Sequence, residues 1–424
     1  MASALQRLPA TQSPQHEIVR ELRAFRYDGR PTRRTVTSVG LAKSKSRPIV
    51  VETFVNEFWT SKQRAAHSLH EVSYRACFKP QLPRFFIDRF TAPGDVVYDP
   101  FMGRGTTVIE AALAGRVPAG SDINPLSAML SRPRLSPPTA EEVATRLAAI
   151  DLSLAVSYPQ ELEVFYHRET LREICALREY LLAREYRGTI DAVDRWIRMV
   201  AVNRLTGHSP GFFSVYTLPP NQAASVEAQS KINAQRKQVP PRRDVRMLIA
   251  TKTRSLLSDC DSATRATLLR SAQRAQILTG PARSTPELRS NSVSLVVTSP
   301  PFLDVVNYAA DNWLRGWFCG IDPATVEISI HRKVTEWQGA MTDAFREIAR
   351  VLRPGGHVAF EVGEVRGGKV KLEEAVLPCG IASGLEPLLV VINAQQFTKT
   401  ANCWGVRNNT KGTNTNRIVV FRKS

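Results

Sequence analysis

The sequence predicts an α/β fold, a doubly wound and mostly parallel sheet interrupted after its second strand by a largely helical insert. Three observations predict it. Short apolar runs ending in turn residues alternate with a helical segment around residues 93–128. The same alternation returns at residue 275 and continues to the last residues. Between them the alternation stops, and residues 139–200 are rich in Ala, Leu, Arg and Glu at helical spacing.

The elements follow in order. Pro93-Gly94-Asp95 is a turn signal, and VYDP (97–100) after it reads as a short buried strand. FMGRGTT leads into VIEAALAG, a helical run that stops at Gly115, a suitable C-cap. VPAGSD (117–122) is a second strand, so the glycine-rich turn sits at the carboxyl end of the first, where open α/β sheets bind ligands. EEVATRLAAIDLSLA and ETLREICALREYLLAREY then read as helices, followed by the Pro/Gly-punctuated segment 203–222. Lys231 to Arg254 is strongly basic: Arg236, Lys237, Arg242, Arg243, Arg246 and Lys252 are opposed only by Asp244. Strand and helix signals resume with AQILTG (275–280), SLVVTSPP (294–301), helix TDAFREIARVL (342–352) and the turn RPGG (353–356). The strands HVAFEV, LLVVINA and RIVVF complete the sheet. The expected organisation is a basic arm over 1–50, flexible or loosely docked and crowded by Lys43, Lys45 and Arg47. An α/β domain over 51–130 and 275–424 and an insert over 131–274 follow it.

Composition narrows the class. A hydrophobic fraction of 43% suffices for a core, which excludes global disorder. Fifty-seven Lys and Arg against 39 Asp and Glu give +18, a balance that favours a polyanionic partner because bound phosphates release counterions. There is no long apolar run for a membrane span, and the opening residues lack the apolar core of a signal peptide. Cysteines 77, 175, 260, 319, 379 and 403 are scattered with no CxxC pair. They read as reduced thiols of a cytoplasmic protein, not as a disulfide framework or a zinc site.

Three constellations carry chemistry. In the first, Asp99-Pro100-Phe101-Met102-Gly103-Arg104-Gly105-Thr106-Thr107, the glycines let backbone lie against a ligand where a Cβ would collide. The loop lacks the GK[ST] ending of a nucleoside-triphosphate loop. Alone it fits a dinucleotide dehydrogenase or a structural turn equally well. In the second, Gly120-Ser121-Asp122-Ile123-Asn124-Pro125, an acid at the end of the next strand suits the vicinal hydroxyls of a ribose, or else caps the following helix. The third, Thr298-Ser299-Pro300-Pro301-Phe302, ends a strand with two prolines that stiffen the backbone. A hydroxyl and a carbonyl fixed there can accept two hydrogen bonds from one amino group, and the aromatic ring can stack on an extruded base.

Together DPFMGRGTT, SDINP and TSPPF resemble the amino-methyltransferase family of DNA modification enzymes, and the Ser-Pro-Pro-aromatic form resembles its N4-cytosine branch. Residues 58–90 look like the segment before the glycine loop, and VLRPGGHVAFEVGEV and TNTNRIVVFRK look like the later strands. The likeness covers 52–128 and 275–424 well and the insert loosely. It implies a Rossmann-like methyltransferase sheet and S-adenosyl-L-methionine as cofactor. Asp99, Phe101, Gly103 and Gly105 would contact its methionine half and Asp122 its ribose, with Thr106 and Ile123 also at the cofactor. Phe78 and Leu82 are further cofactor candidates. Ser299, Pro300, Pro301 and Phe302 would hold the flipped base. Many relatives carry an acid after the third strand, but here ILTG runs into Pro281. The resemblance thus implies site-specific methylation of duplex DNA at N4 of cytosine, in a restriction–modification context where a companion endonuclease would be a separate protein. The alternatives are adenine N6 as target, an RNA base, or a non-catalytic DNA-binding protein.

Other residues have plainer readings. Trp313 and Trp317, spaced i, i+4, fit a core stripe better than a DNA platform. His208 reads as structural. Phe212, Phe213 and Tyr216 either face DNA or pack the insert against the sheet. Ring-carbon methylation needs a thiolate, and the only Pro-Cys pair, Pro378-Cys379, lies far downstream in an expected loop.

Overall fold

The computed structural model describes residues 14–40, 48–59, 66–75, 77–154, 156–220, 222–303, 308–326, 331–365, 370–394 and 415–424. The chain opens with α1 (Pro14–Ala24), the small hairpin β1 (Arg26–Tyr27) and β2 (Arg30–Pro31), β3 (Arg33–Val39) and β4 (Ile49–Asn56). Then come α2 (Gln81–Phe90), β5 (Val96–Asp99), α3 (Thr106–Leu113), β6 (Val117–Asp122) and α4 (Pro125–Leu135). The helices α5 (Ala140–Ala149), α6 (Arg168–Tyr186), α7 (Ala192–Val202), α8 (Val226–Arg236), α9 (Val245–Leu256) and α10 (Ser262–Ala272) separate β6 from β7 (Gln276–Thr279). After β8 (Val293–Thr298) follow α11 (Tyr308–Cys319), α12 (Val334–Val351), β9 (Leu352–Val362) and the short pair β10 (Glu364–Val365) and β11 (Val370–Lys371). The helix α13 (Leu372–Ala382) and strands β12 (Leu385–Ala394) and β13 (Thr415–Lys423) end the chain.

Nine strands form one sheet in the order β3-β4-β12-β13-β9-β8-β5-β6-β7. The pairings β8·β9, β5·β8, β5·β6, β6·β7 and β4·β12 are parallel, while β13 lies antiparallel between β9 and β12. Every residue of β8 is buried, as expected for a strand covered on both faces. Alternation sorts the neighbours: Val97 packs with Leu82 and Phe86 of α2, whereas Tyr98 faces Phe345 of α12 on the other side. The sheet is thus wound with helices on both faces.

The N-terminal segment differs from the expected arm. Ile18 and Leu22 of α1 are buried against Phe54 and Phe86, and β3 pairs along β4 from Arg33↔Val55 to Val39↔Ile49. Its arginines misled because they occupy the exposed side of an edge strand, a position where charge discourages further pairing. There Arg34 and Arg23 both bond Glu52 at 2.9 Å. Lys43, Lys45 and Arg47 lie outside the described residues.

The insert helices share one apolar cluster with Val108 and Ile109 of α3 and Leu126 and Leu130 of α4, so the insert is welded to the sheet's own helices. Thr139 with Glu142, and Asp191 with Asp194, form capping boxes that start α5 and α7. The buried Asp194 carboxylate accepts from Arg146, from Arg184 at 2.5 Å and from the Tyr180 hydroxyl at 3.2 Å, joining α5, α6 and α7. Phe212 and Phe213 are buried in the packing of 203–222, which removes them as DNA contacts. Trp313 and Trp317 pack partly buried on the same cluster. Pro378 and Cys379 lie inside α13, not in a loop, and Cys379 is buried.

Candidate active site

Asp99 ends β5 with its side chain 1% exposed. Its Oδ1 accepts the Thr298 hydroxyl at 2.6 Å and the Phe101 amide at 3.1 Å. Burial pushes its carboxyl up to about 7 against those hydrogen bonds, and the neighbouring Asp122 charge adds to the rise. The chain then turns through Gly103 and Gly105, both at positive φ (50° and 77°). At Gly105, the residue before α3, a Cβ would also run into the Ser131 hydroxyl. Asp122 ends the adjacent β6, half-buried. One carboxylate oxygen accepts the Gly103 amide and the other the Asn124 amide, each at 2.9 Å. Asp122 thus holds the glycine loop and caps the next turn, and burial raises its pKa. Gly120 behind it is required by space: a Cβ would meet Met102 Sδ at 2.7 Å and Val108 at 2.8 Å.

The Ser299-Pro300-Pro301 loop leaves β8 beside this turn. Thr107 Oγ1 of α3 donates to the Val297 carbonyl of β8 at 3.0 Å, and Thr298 at the end of β8 donates to Asp99, so the elements that carry the two loops are bonded twice. Ser299 hydrogen-bonds to the Glu361 side chain on β9. Burial pushes that carboxyl up, opposed by the bonds from Ser299 and Asn416. Trp337 of α12 donates its indole N–H to the Pro301 carbonyl at 2.8 Å.

One cavity of about 530 Å³ joins these pieces. Phe78, Asp99, Phe101, Gly103, Thr106, Asp122, Ile123, Ser299 and Pro301 line it. Four predicted residues do not. Gly105 lies behind the loop, Pro300 is buried, and Phe302 packs half-buried on the cluster around Trp337. Leu82 is the plain correction: it sits at 0% exposure in the core between α2 and the sheet, because it falls on the inward face of an amphipathic helix. The structure adds Tyr74 and Cys77 beside Gly103, and Trp337, Ala340 and Met341 of α12 to the lining. After β7, Pro281, Ala282 and Arg283 line the cavity, at the position where the sequence carries no acid. The sequence offered no sign of Trp337. It did offer one for Glu361, an acid inside the otherwise apolar strand VAFEV.

Residues 34–129 match the family model described as DNA methylase. That span includes the glycine loop and Asp122 and ends before the insert. Over 111 residues the chain is 31% identical to the Type II methyltransferase M.MvaI of Kocuria varians, covering 26% of this chain and 23% of that protein. Over 76 residues it is 34% identical to the Type II methyltransferase M.MjaII of Methanocaldococcus jannaschii, covering 18% and 14%. The chain therefore spans less than a quarter of the length of either relative. Among solved structures, it resembles a TehB-like methyltransferase from Corynebacterium glutamicum at TM-score 0.31 and 9% identity, over 81% of this chain and 87% of that one. It resembles geranyl diphosphate C-methyltransferase from Streptomyces coelicolor at TM-score 0.33 and 10% identity, over 98% and 100%.

On the insert, most of the basic stretch has internal partners. Arg242 bonds Glu169 at 2.9 Å and Glu173 at 2.5 Å, and Lys252 bonds Glu71 at 2.7 Å. Arg246 donates to the Leu147 and Ile150 carbonyls at 3.0 and 2.6 Å, and Arg236 lies 3.8 Å over the Tyr216 ring. Lys231 and Lys237 are exposed. No helix of the described residues is long and apolar enough to cross a membrane.

Proposed function

We propose that this chain is an S-adenosyl-L-methionine-dependent DNA methyltransferase that methylates an exocyclic base amine, with N4 of cytosine its first candidate. The observation that carries the reading is one cavity lined both by Asp99, Gly103 and Asp122 around the glycine turn and by Ser299 and Pro301 of the Ser-Pro-Pro loop. The DNA methylase match over the glycine loop supports it.

The residues present fit the cofactor. Gly103, without a side chain beside Tyr74 and Cys77, leaves a cradle for the methionine half, and the free lone pairs of the Asp122 carboxylate suit the ribose hydroxyls. Ile123 and Phe101 give apolar walls to the cofactor cavity. Bound S-adenosyl-L-methionine supplies an electrophilic methyl group. Ser299 Oγ and the Pro300 carbonyl accept the two N–H bonds of the target amine. Held so, the nitrogen is drawn toward tetrahedral geometry and its lone pair leaves conjugation with the ring. Positioning of this kind lowers barriers by roughly 7–11 kcal/mol. Phe302, packed half-buried on the Trp337 cluster outside the cavity lining, would stack on the base only after leaving that packing.

The two acceptors serve cytosine and adenine amines alike. The deciding experiment is mass-spectrometric nucleoside analysis of unmethylated duplex DNA incubated with the protein and S-adenosyl-L-methionine. N4-methylcytosine is the expected product. N6-methyladenine alone would transfer the enzyme to the adenine branch. Methylation of RNA but not of duplex DNA would overturn the substrate, and no transfer to any nucleic acid would leave a binding protein on an enzyme's scaffold.

A further inference from the structure

We propose that Glu361 is a positioning residue that holds the Ser299 hydroxyl as an acceptor, and so selects a base presenting an amine, not a carbonyl, to that hydroxyl. The inference rests on the functional reading above and deepens it.

Strand register places the two residues together. Thr298 pairs with Phe360 across the parallel strands β8 and β9, so Ser299 and Glu361 are the next residues on each. Glu361 is 5% exposed, and the Ser299 side chain hydrogen-bonds to it. Its Oε1 also accepts Asn416 Nδ2 at 3.0 Å from β13, on the other side of β9. Among the described residues no Lys, Arg or His forms an ion pair with it. A buried carboxyl held by neutral donors alone is costly to keep, and packing alone would be served by an apolar residue.

A serine hydroxyl has one proton and two lone pairs. With the proton committed to Glu361, only lone pairs face the cavity. An amine N–H arriving there is accepted, and the charge behind the hydroxyl strengthens the bond. A base carbonyl at the same point would meet lone pair against lone pair. Cytosine and adenine present an amine at this edge, whereas thymine and guanine present a carbonyl.

The test is a double-mutant cycle read by methyl incorporation into unmethylated DNA at saturating cofactor, with cofactor affinity measured alongside by calorimetry. Glu361→Gln keeps the shape and can still bond Asn416. Its amide can turn a donor toward Ser299, which reverses the hydroxyl. Turnover should fall roughly ten- to hundredfold, the scale of one charge-assisted hydrogen bond, with cofactor Kd unchanged. In a Ser299→Ala background the same change should cost nothing further. Glu361→Asp, which keeps the charge but withdraws it from Ser299, should show the same loss and covers the case in which the Gln variant fails to fold. Full turnover in Glu361→Gln, or an equal loss with and without Ser299, overturns the proposal while leaving the functional reading intact. No methyl transfer by the wild-type chain overturns that reading, and this inference with it.

Discussion

The indole N–H of Trp337 donates to the Pro301 carbonyl at 2.8 Å, tying the helix before β9 to the loop after β8. The pair of prolines contributes no N–H of its own, so this loop depends on donors from elsewhere. Taken by Trp337, the Pro301 carbonyl is not free to accept from a substrate. Trp337 is 1% exposed, which makes its bond a fixed feature of the cavity wall.

Trp337→Phe should therefore preserve most of the packing and release the loop. Turnover should drop about tenfold with cofactor affinity within about twofold, and urea unfolding should report a loss of about 1 kcal/mol, the net worth of one hydrogen bond. A variant equally destabilised but with full turnover would make Trp337 a packing residue only.

What the sequence made legible was local. Strands β5, β6 and β8 and the turns after them announce themselves because proline, glycine and an apolar run within ten residues determine the backbone there. β3 was hidden because its arginines read as a solvated tail, and only its pairing with β4 reveals a strand. The helix α12 begins at Val334, ahead of the expected 342, since Lys333 caps it with no side-chain bond and Gly339 interrupts its first half. Trp337–Pro301 joins positions 36 apart in sequence and Arg242–Glu173 joins positions 69 apart, and no periodicity records either. The cavity lining from the motifs was thus readable and the lining from α12 was not.

Asp99 makes stability depend on pH. In the unfolded chain an Asp titrates near 3.9. In the fold, burial raises this one to about 7. The native state therefore holds the proton more tightly, and the stabilisation is fully present below the unfolded value and lost as pH rises through about 7. Asp99→Asn, neutral at every pH, should gain stability relative to the parent between pH 5 and 8 in urea unfolding of the free protein. A difference constant across that range would return Asp99 to an ordinary carboxylate.

The insert separates cations that hold the fold from cations free to meet phosphates. The Arg242 side chain is 40% exposed and bridges Glu169 and Glu173 on α6. A pair this exposed contributes up to about 1 kcal/mol, so Arg242→Gln should cost that much stability. Its guanidinium is already neutralised by two carboxylates, so removing it should leave the salt dependence of DNA binding near that of the parent. Lys231 and Lys237, exposed in the middle of α8 and at its C-cap, join no ion pair among the described residues. If they track the DNA backbone, changing both to Gln should lower the slope of log K against log salt by about 2, near 0.9 for each phosphate left without its lysine. Fluorescence anisotropy with a labelled duplex from 50 to 200 mM salt measures all three proteins on one scale. Equal slopes throughout would move the phosphate-binding surface off this part of the insert, whereas a fall for Arg242→Gln alone would mean that DNA displaces Glu169 and Glu173 from it.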